Sequence, residues 1–133
     1  MALNASRNTP YKDGHLLPFA LAAGAKIYAG ALVCLNAAGY LVPGSASPTL
    51  KYVGRADDFA DNTAGADGQK VVTVRRRKAF KFVNSSVDPV AQVDLNNTVY
   101  IVDDQTVAKT NGTGTRSAAG RLVGIEPDGV WIE

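Results

Sequence analysis

Cysteine is almost absent from this chain, and its scarcity excludes chemistry. Cys34 is the only one, so no disulfide can form within the chain and no cysteine-rich metal site can be assembled. Its setting, Leu32-Val33-Cys34-Leu35, is apolar and marks it as a buried, inert thiol rather than a nucleophile. Histidine is equally scarce. His15 stands near the amino end with no other His or Cys beside it, which leaves zinc without a ligand set. Long hydrophobic runs are missing too. The one candidate, residues 16–35, is interrupted by Pro18, Gly24, Lys26 and Gly30, whereas a membrane-spanning helix needs roughly 20 predominantly apolar residues. The ordered regions of a signal peptide are not found there either. The expected product is therefore cytoplasmic, has no membrane partner, and carries no glycan information at the sequons of Asn4, Asn84, Asn96 and Asn111. Finally, no charge sign dominates. Fourteen basic against twelve acidic side chains give a formal charge of +2, too little to steer the chain toward nucleic acid, which is disfavoured as a partner.

What remains is enough for one compact domain: 133 residues, 46% hydrophobic and 20% charged. Valine, tyrosine and phenylalanine come in short runs punctuated by 13 Gly and 6 Pro, a pattern of short strands rather than long helices. Met1–Gly14 has no apolar period and reads as an extended arm. From Leu16 an extended segment, a turn near Gly24 and a second strand are preferred over an alanine-rich helix, which Pro18, Gly24 and Gly30 would cut short. Ala31–Leu35 and Tyr40–Val42 flank Asn36-Ala37-Ala38-Gly39 as a β-hairpin. Leu50–Ala56 is another strand. Asp57–Gly68, with four aspartates, reads as a solvated loop of about a dozen residues.

Val71–Val83 is the longest strand signal. A single flat strand would set Arg76 and Lys78 on the same face as Val72, Val74, Phe80 and Phe82. A bulge, or two strands joined by a tight basic corner, removes the conflict. Thr98–Val102 and Thr106–Ala108 pair across Asp103-Asp104. Lys109–Ser117 reads as a flexible loop, and Arg121–Ile125 and Val130–Ile132 flank the turn Glu126-Pro127-Asp128-Gly129. Seven to nine short strands are expected. The fold class that follows is all-β: a compact small β-barrel or β-sandwich with long loops, residues 16–133, preceded by a flexible, extended amino-terminal arm, residues 1–15.

Candidate functional residues are few. Arg75-Arg76-Arg77-Lys78 is the densest charge cluster. It is either a solvated β corner or a contact whose guanidinium groups engage carboxylates on a protein surface. Asp57, Asp58, Asp61 and Asp67 raise calcium, but their spacing does not match an EF-hand and the terminal Glu is missing. No nucleophile, base and electrophilic stabiliser form a recognisable set, so no enzyme and no cofactor is expected.

Three stretches carry a family resemblance: Ala22–Tyr40, Tyr52-Val53-Gly54-Arg55-Ala56, and Ala119–Ile125 with Asp128–Ile132, supported by Val99–Asp104. In order and spacing they resemble the small head decoration, or capsid cement, proteins of tailed bacteriophages. The resemblance implies a structural virion protein on the exterior of the head, made in the host cytoplasm. Its partner would be the major capsid protein, and it would self-associate as a homotrimer. Under that reading Asn4, Arg7, Tyr11, Lys12, Arg75, Arg76, Arg77 and Lys78 are the capsid-contact candidates, and Tyr28, Tyr40 and Trp131 the packing or subunit-interface candidates. A tail or baseplate accessory protein and a surface carbohydrate-binding module are the alternatives.

Overall fold

The computed structural model describes all of Met1–Glu133. It is a mostly β, multi-sheet fold with long loops. The strands are β1 (Leu16–Ala20), β2 (Lys26–Ile27), β3 (Leu32–Leu35), β4 (Leu41–Pro43), β5 (Lys51–Ala56), β6 (Ala60–Asp61), β7 (Val71–Arg75), β8 (Phe80–Asn84), β9 (Thr98–Ile101), β10 (Thr106–Ala108), β11 (Ala118–Glu126) and β12 (Gly129–Ile132). Twelve strands replace the expected seven to nine; β6, in the stretch read as a solvated loop, is a two-residue pairing too short to leave a periodic signal. A 3₁₀ turn at Gln92–Asp94, closed by the Asp94 carboxylate accepting from Ala91 N at 2.8 Å, also escaped the sequence reading.

Five strands form an open sheet in the order β1-β7-β5-β3-β4. Five others pair in a closed cycle, β10-β8-β12-β11-β9, antiparallel except for β10 with β8. The open sheet curls until its ends nearly meet: Leu21 and Leu41 form a parallel bridge, and Ala22 N donates to Leu41 O at 3.0 Å.

Strand β3 joins the two units. Its side chains alternate in direction, as in any strand, but both directions are buried. Leu32 and Cys34 enter the core of the ring with Phe80, Phe82, Val99, Ile101, Leu122, Val130 and Ile132, whereas Val33 enters the core of the open sheet with Leu21, Ile27, Leu41, Val72 and Val74. Burial pushes the Cys34 thiol up to about 12, so it stays protonated. Tyr52, on β5, packs against the ring core with its hydroxyl buried and without a hydrogen-bond partner. Burial, and then the neighbouring Cys34, push its phenol up as well. A hydroxyl taken out of water without a partner destabilises the folded state. Tyr52→Phe is therefore expected to gain about 1 kcal/mol, read as a melting temperature roughly 3–5 °C higher. A lower melting temperature would mean that the hydroxyl does have a partner.

The edge strand β1 carries Pro18. Leu21 N donates to Lys70 O and Arg76 N donates to His15 O, which sets the odd-numbered residues of β1 to bond with β7. Pro18 thus falls where an amide would face outward, so its missing N–H costs the ladder nothing and blunts the free edge.

Two loops depart from the sequence reading. Asp57–Gly68 is not wholly solvated: it contains β6, and Asn62 is only 2% exposed, donating from Nδ2 to Ala22 O and Ala66 O at 2.9 Å each. Lys109–Ser117, read as flexible, is tied down by Asp88, whose Oδ2 accepts from Thr110 Oγ1 at 2.6 Å, Thr110 N at 3.0 Å and Arg116 Nη1 at 3.0 Å. These bonds, led by the Thr110 hydroxyl, hold the Asp88 carboxyl below its ordinary value. Neither tie can be read from spacing, because Asn62 bonds to backbone carbonyls, one of them 40 residues away, and the partners of Asp88 lie 22 and 28 residues from it.

Candidate functional site

The basic corner is made by a change of sheet. Val72 and Val74 point into the open sheet's core and Phe80 and Phe82 into the ring's, so the chain must leave one unit and enter the other between Arg75 and Phe80. The turn places Arg77 at φ 59°, a left-handed conformation that L-residues adopt at a cost of roughly 1 kcal/mol. The parity conflict of a single long strand disappears, and the two-strand alternative is the one observed. Arg77 and Lys78 are exposed and Arg76 is half-buried.

Arg75 differs from its neighbours. It faces Arg55 directly across the β5–β7 pair, and Asp57 sits between the two guanidinium groups. Its carboxylate accepts from Arg75 Nε at 3.1 Å, Arg75 Nη2 at 3.3 Å and Arg55 Nη1 at 3.1 Å. The Arg75 hydrogen bonds hold the Asp57 carboxyl below its usual range, and Asp57 in turn raises Arg75. Of the four candidates in this cluster, Arg75 is thus committed within the chain, while Arg76, Arg77 and Lys78 form no ion pair.

The arm begins at this corner. Arg76 N donates to His15 O at 2.8 Å, and Gly14 lies against the Arg77 guanidinium. His15 turns toward Asp13: its amide donates to Asp13 Oδ1 at 3.0 Å, and Nδ1 stands 2.7 Å from the same oxygen. The His15 amide, then its ring, lower the Asp13 carboxyl. Residues 1–13 contain no strand or helix and are exposed throughout, with Asn4, Arg7, Tyr11 and Lys12 among them. The capsid-contact candidates therefore lie along one exposed arm and at the corner where it is rooted.

The remaining candidates scatter. Trp131 belongs to neither core; it is half-buried on the outer side of β12, donating from Nε1 to Glu126 Oε2 at 3.1 Å, with Lys81 Nζ 6.0 Å from its ring. Its outward position follows from the alternation that buries Val130 and Ile132. Lys81 also pairs with Glu126 at 3.2 Å and Asp128 at 2.8 Å. Tyr40 packs at the margin of the open sheet's core, just outside β4. Tyr28 is exposed just past β2 and stacks on Phe59, a pairing that the reading of Asp57–Gly68 as solvated loop missed; its only sequence signal was a lone Phe in an aspartate-rich stretch.

The four aspartates of that stretch do separate work. Asp57 bridges two arginines, Asp58 accepts from Phe59 N, Asp61 from Thr63 N and Asp67 from Ala23 N. No group of three or more His, Cys, Asp or Glu side chains converges as a metal-holding set. Comparison with protein-family models, curated proteins and solved structures finds no match for the chain.

Proposed function

We propose that the chain is a structural, non-enzymatic virion protein that binds the outer surface of a phage major capsid lattice and stabilises the head. The sequence resemblance to capsid cement proteins supports this reading, and one observation carries it: the arm is rooted on the basic corner, so Arg76, Arg77 and Lys78 form an unpaired cationic surface continuous with an exposed extended segment. Such a surface suits acidic patches on another protein, since guanidinium groups bond carboxylates with direction. The body behind it reads as a small β-barrel, formed by the closed strand cycle, with the open sheet packed on it. Self-association as a homotrimer would add to binding, because linked contacts gain through effective concentration. The site is the virion exterior, reached from the host cytoplasm. A sugar-stacking role for Trp131 is less well supported, because Lys81 and Glu126 already engage the indole.

The test is co-sedimentation with shells assembled from the major capsid protein of the phage that carries the gene. Saturable binding is expected. Replacing Arg76, Arg77 and Lys78 together by Ser should weaken it about tenfold or more. Deleting residues 2–14 should leave the fold intact and also reduce occupancy. Failure of the full chain to bind, or occupancy unchanged by both variants, overturns the reading.

A further inference from the structure

Pairing of β2 with β6 sets Ile27 opposite Ala60 and so brings the flanking Tyr28 and Phe59 together. Their ring centroids lie 5.5 Å apart, tilted by 44°. Neither ring is covered: Tyr28 is 57% and Phe59 49% exposed. Beside them lies a depression of about 370 Å³ lined by Tyr28, Ala29, Gly30, Ala31, Asp104 and Gln105. Asp58, next to Phe59, and Asp104, at the depression, form no ion pair within the chain. Lys26 Nζ lies 5.6 Å from the Tyr28 ring centroid. This face is aromatic and acidic.

The arm has the opposite character. Between Met1 and Lys12 there is no acidic residue, while Arg7 and Lys12 carry positive charge. Tyr11 is 97% exposed, and the only backbone hydrogen bond within this stretch is Thr9 N to Arg7 O. Cations of this kind bind over aromatic faces and pair with carboxylates at the rim. Fourteen extended residues reach about 45 Å, farther than the roughly 35 Å width of a compact body of this length. The arm can thus span to an adjacent molecule.

We propose that residues 1–12 of one copy dock across the Tyr28–Phe59 face of a neighbouring copy. Each copy gives one arm and receives one, a head-to-tail contact that joins two different surfaces and closes as a ring when the rotation permits. The inference deepens the shell-binding reading by naming the arm's partner. The basic corner stays free to face the shell, and loss of the arm weakens shell binding by uncoupling the copies.

Sedimentation velocity of the full chain without shells, across a concentration series, is the test. The unaltered protein is expected to sediment as a multiple of the 13.9 kDa chain. A Tyr28→Ser/Phe59→Ser variant, and separately a chain lacking residues 2–12, should sediment as single chains with unchanged circular dichroism. Asp104→Lys should weaken association about tenfold, and adding Lys12→Asp should restore it. A single chain at every concentration for the unaltered protein, or an oligomer that survives both disruptions, overturns the proposal. Shell binding that persists in such a single chain would spare the shell-binding reading. An oligomer that ignores shells would sink that reading and leave arm exchange standing.

Discussion

Gly54→Ala should lower the melting temperature by roughly 10 °C, the equivalent of about 3 kcal/mol for a domain of this size. Gly54 is buried on β5, where the register against β3 slips between Val33 and Cys34. There β5 approaches the end of β7 so closely that a β-carbon would collide with Arg75 O and lie 3.2 Å from Arg76 Cα and 3.3 Å from Arg75 C. All three are backbone atoms, which cannot swing aside as a side-chain tip would. The displaced segment is also the start of the basic corner, so the same change should disturb the proposed shell binding beyond its effect on stability. Gly39→Ala is the matching control. Gly39 sits in the hairpin turn at φ 87°, with nothing within 4 Å of the added carbon. Its cost is conformational only, about 1 kcal/mol. Urea and thermal unfolding of the two variants decide the matter, and equal losses would mean that the close approach of β5 and β7 is not what requires glycine.

Leu32→Ala should cost about 3–4 kcal/mol, since Leu32 is fully buried and its truncation leaves a cavity. The informative readout is where the damage appears. Leu32 is paired with Arg55 in the open sheet, but its N–H donates to Asp104 O between β9 and β10 and its side chain fills the ring core. Amide exchange should therefore accelerate in β9, β11 and β12 for Leu32→Ala, and in β1 and β7 for Val33→Ala, one residue along. Acceleration confined to β1 and β7 in both variants would show that the ring does not depend on β3.

The β-rich class was legible because Val, Tyr and Phe runs alternate with turn residues, and that pattern survives in β3, β5, β7, β9 and β12. The hairpin around Asn36-Gly39 was equally plain: Asn36 Oδ1 accepts from Ala38 N and Tyr40 N, the local bonding that makes Asn a turn residue. Arithmetic on residue parity located the break in Val71–Val83, because two charges had no place among four core residues. What stayed hidden depends on contacts distant in the chain. The pairing of β2 with β6 joins two-residue strands more than thirty residues apart, and the Asp88 tie to Thr110 and Arg116 crosses more than twenty residues. At the candidate site, the cluster Arg75–Lys78 was visible as charge, but Asp57's hold on Arg75 was not; spacing alone cannot say which of four adjacent cations is already engaged.

The position of β12 sets an order on biosynthesis. It lies between β8 and β11, so the cycle of strands cannot close until the chain has been made through Ile132. Until then Leu32 and Cys34, made a hundred residues earlier, have no ring to enter, and an apolar stripe of β3 stays open to solvent and to other nascent chains. The open sheet can form first. Productive folding therefore waits on the ribosome, and slow translation of the last thirty residues would lengthen the interval in which two unfinished chains can misassociate through that stripe.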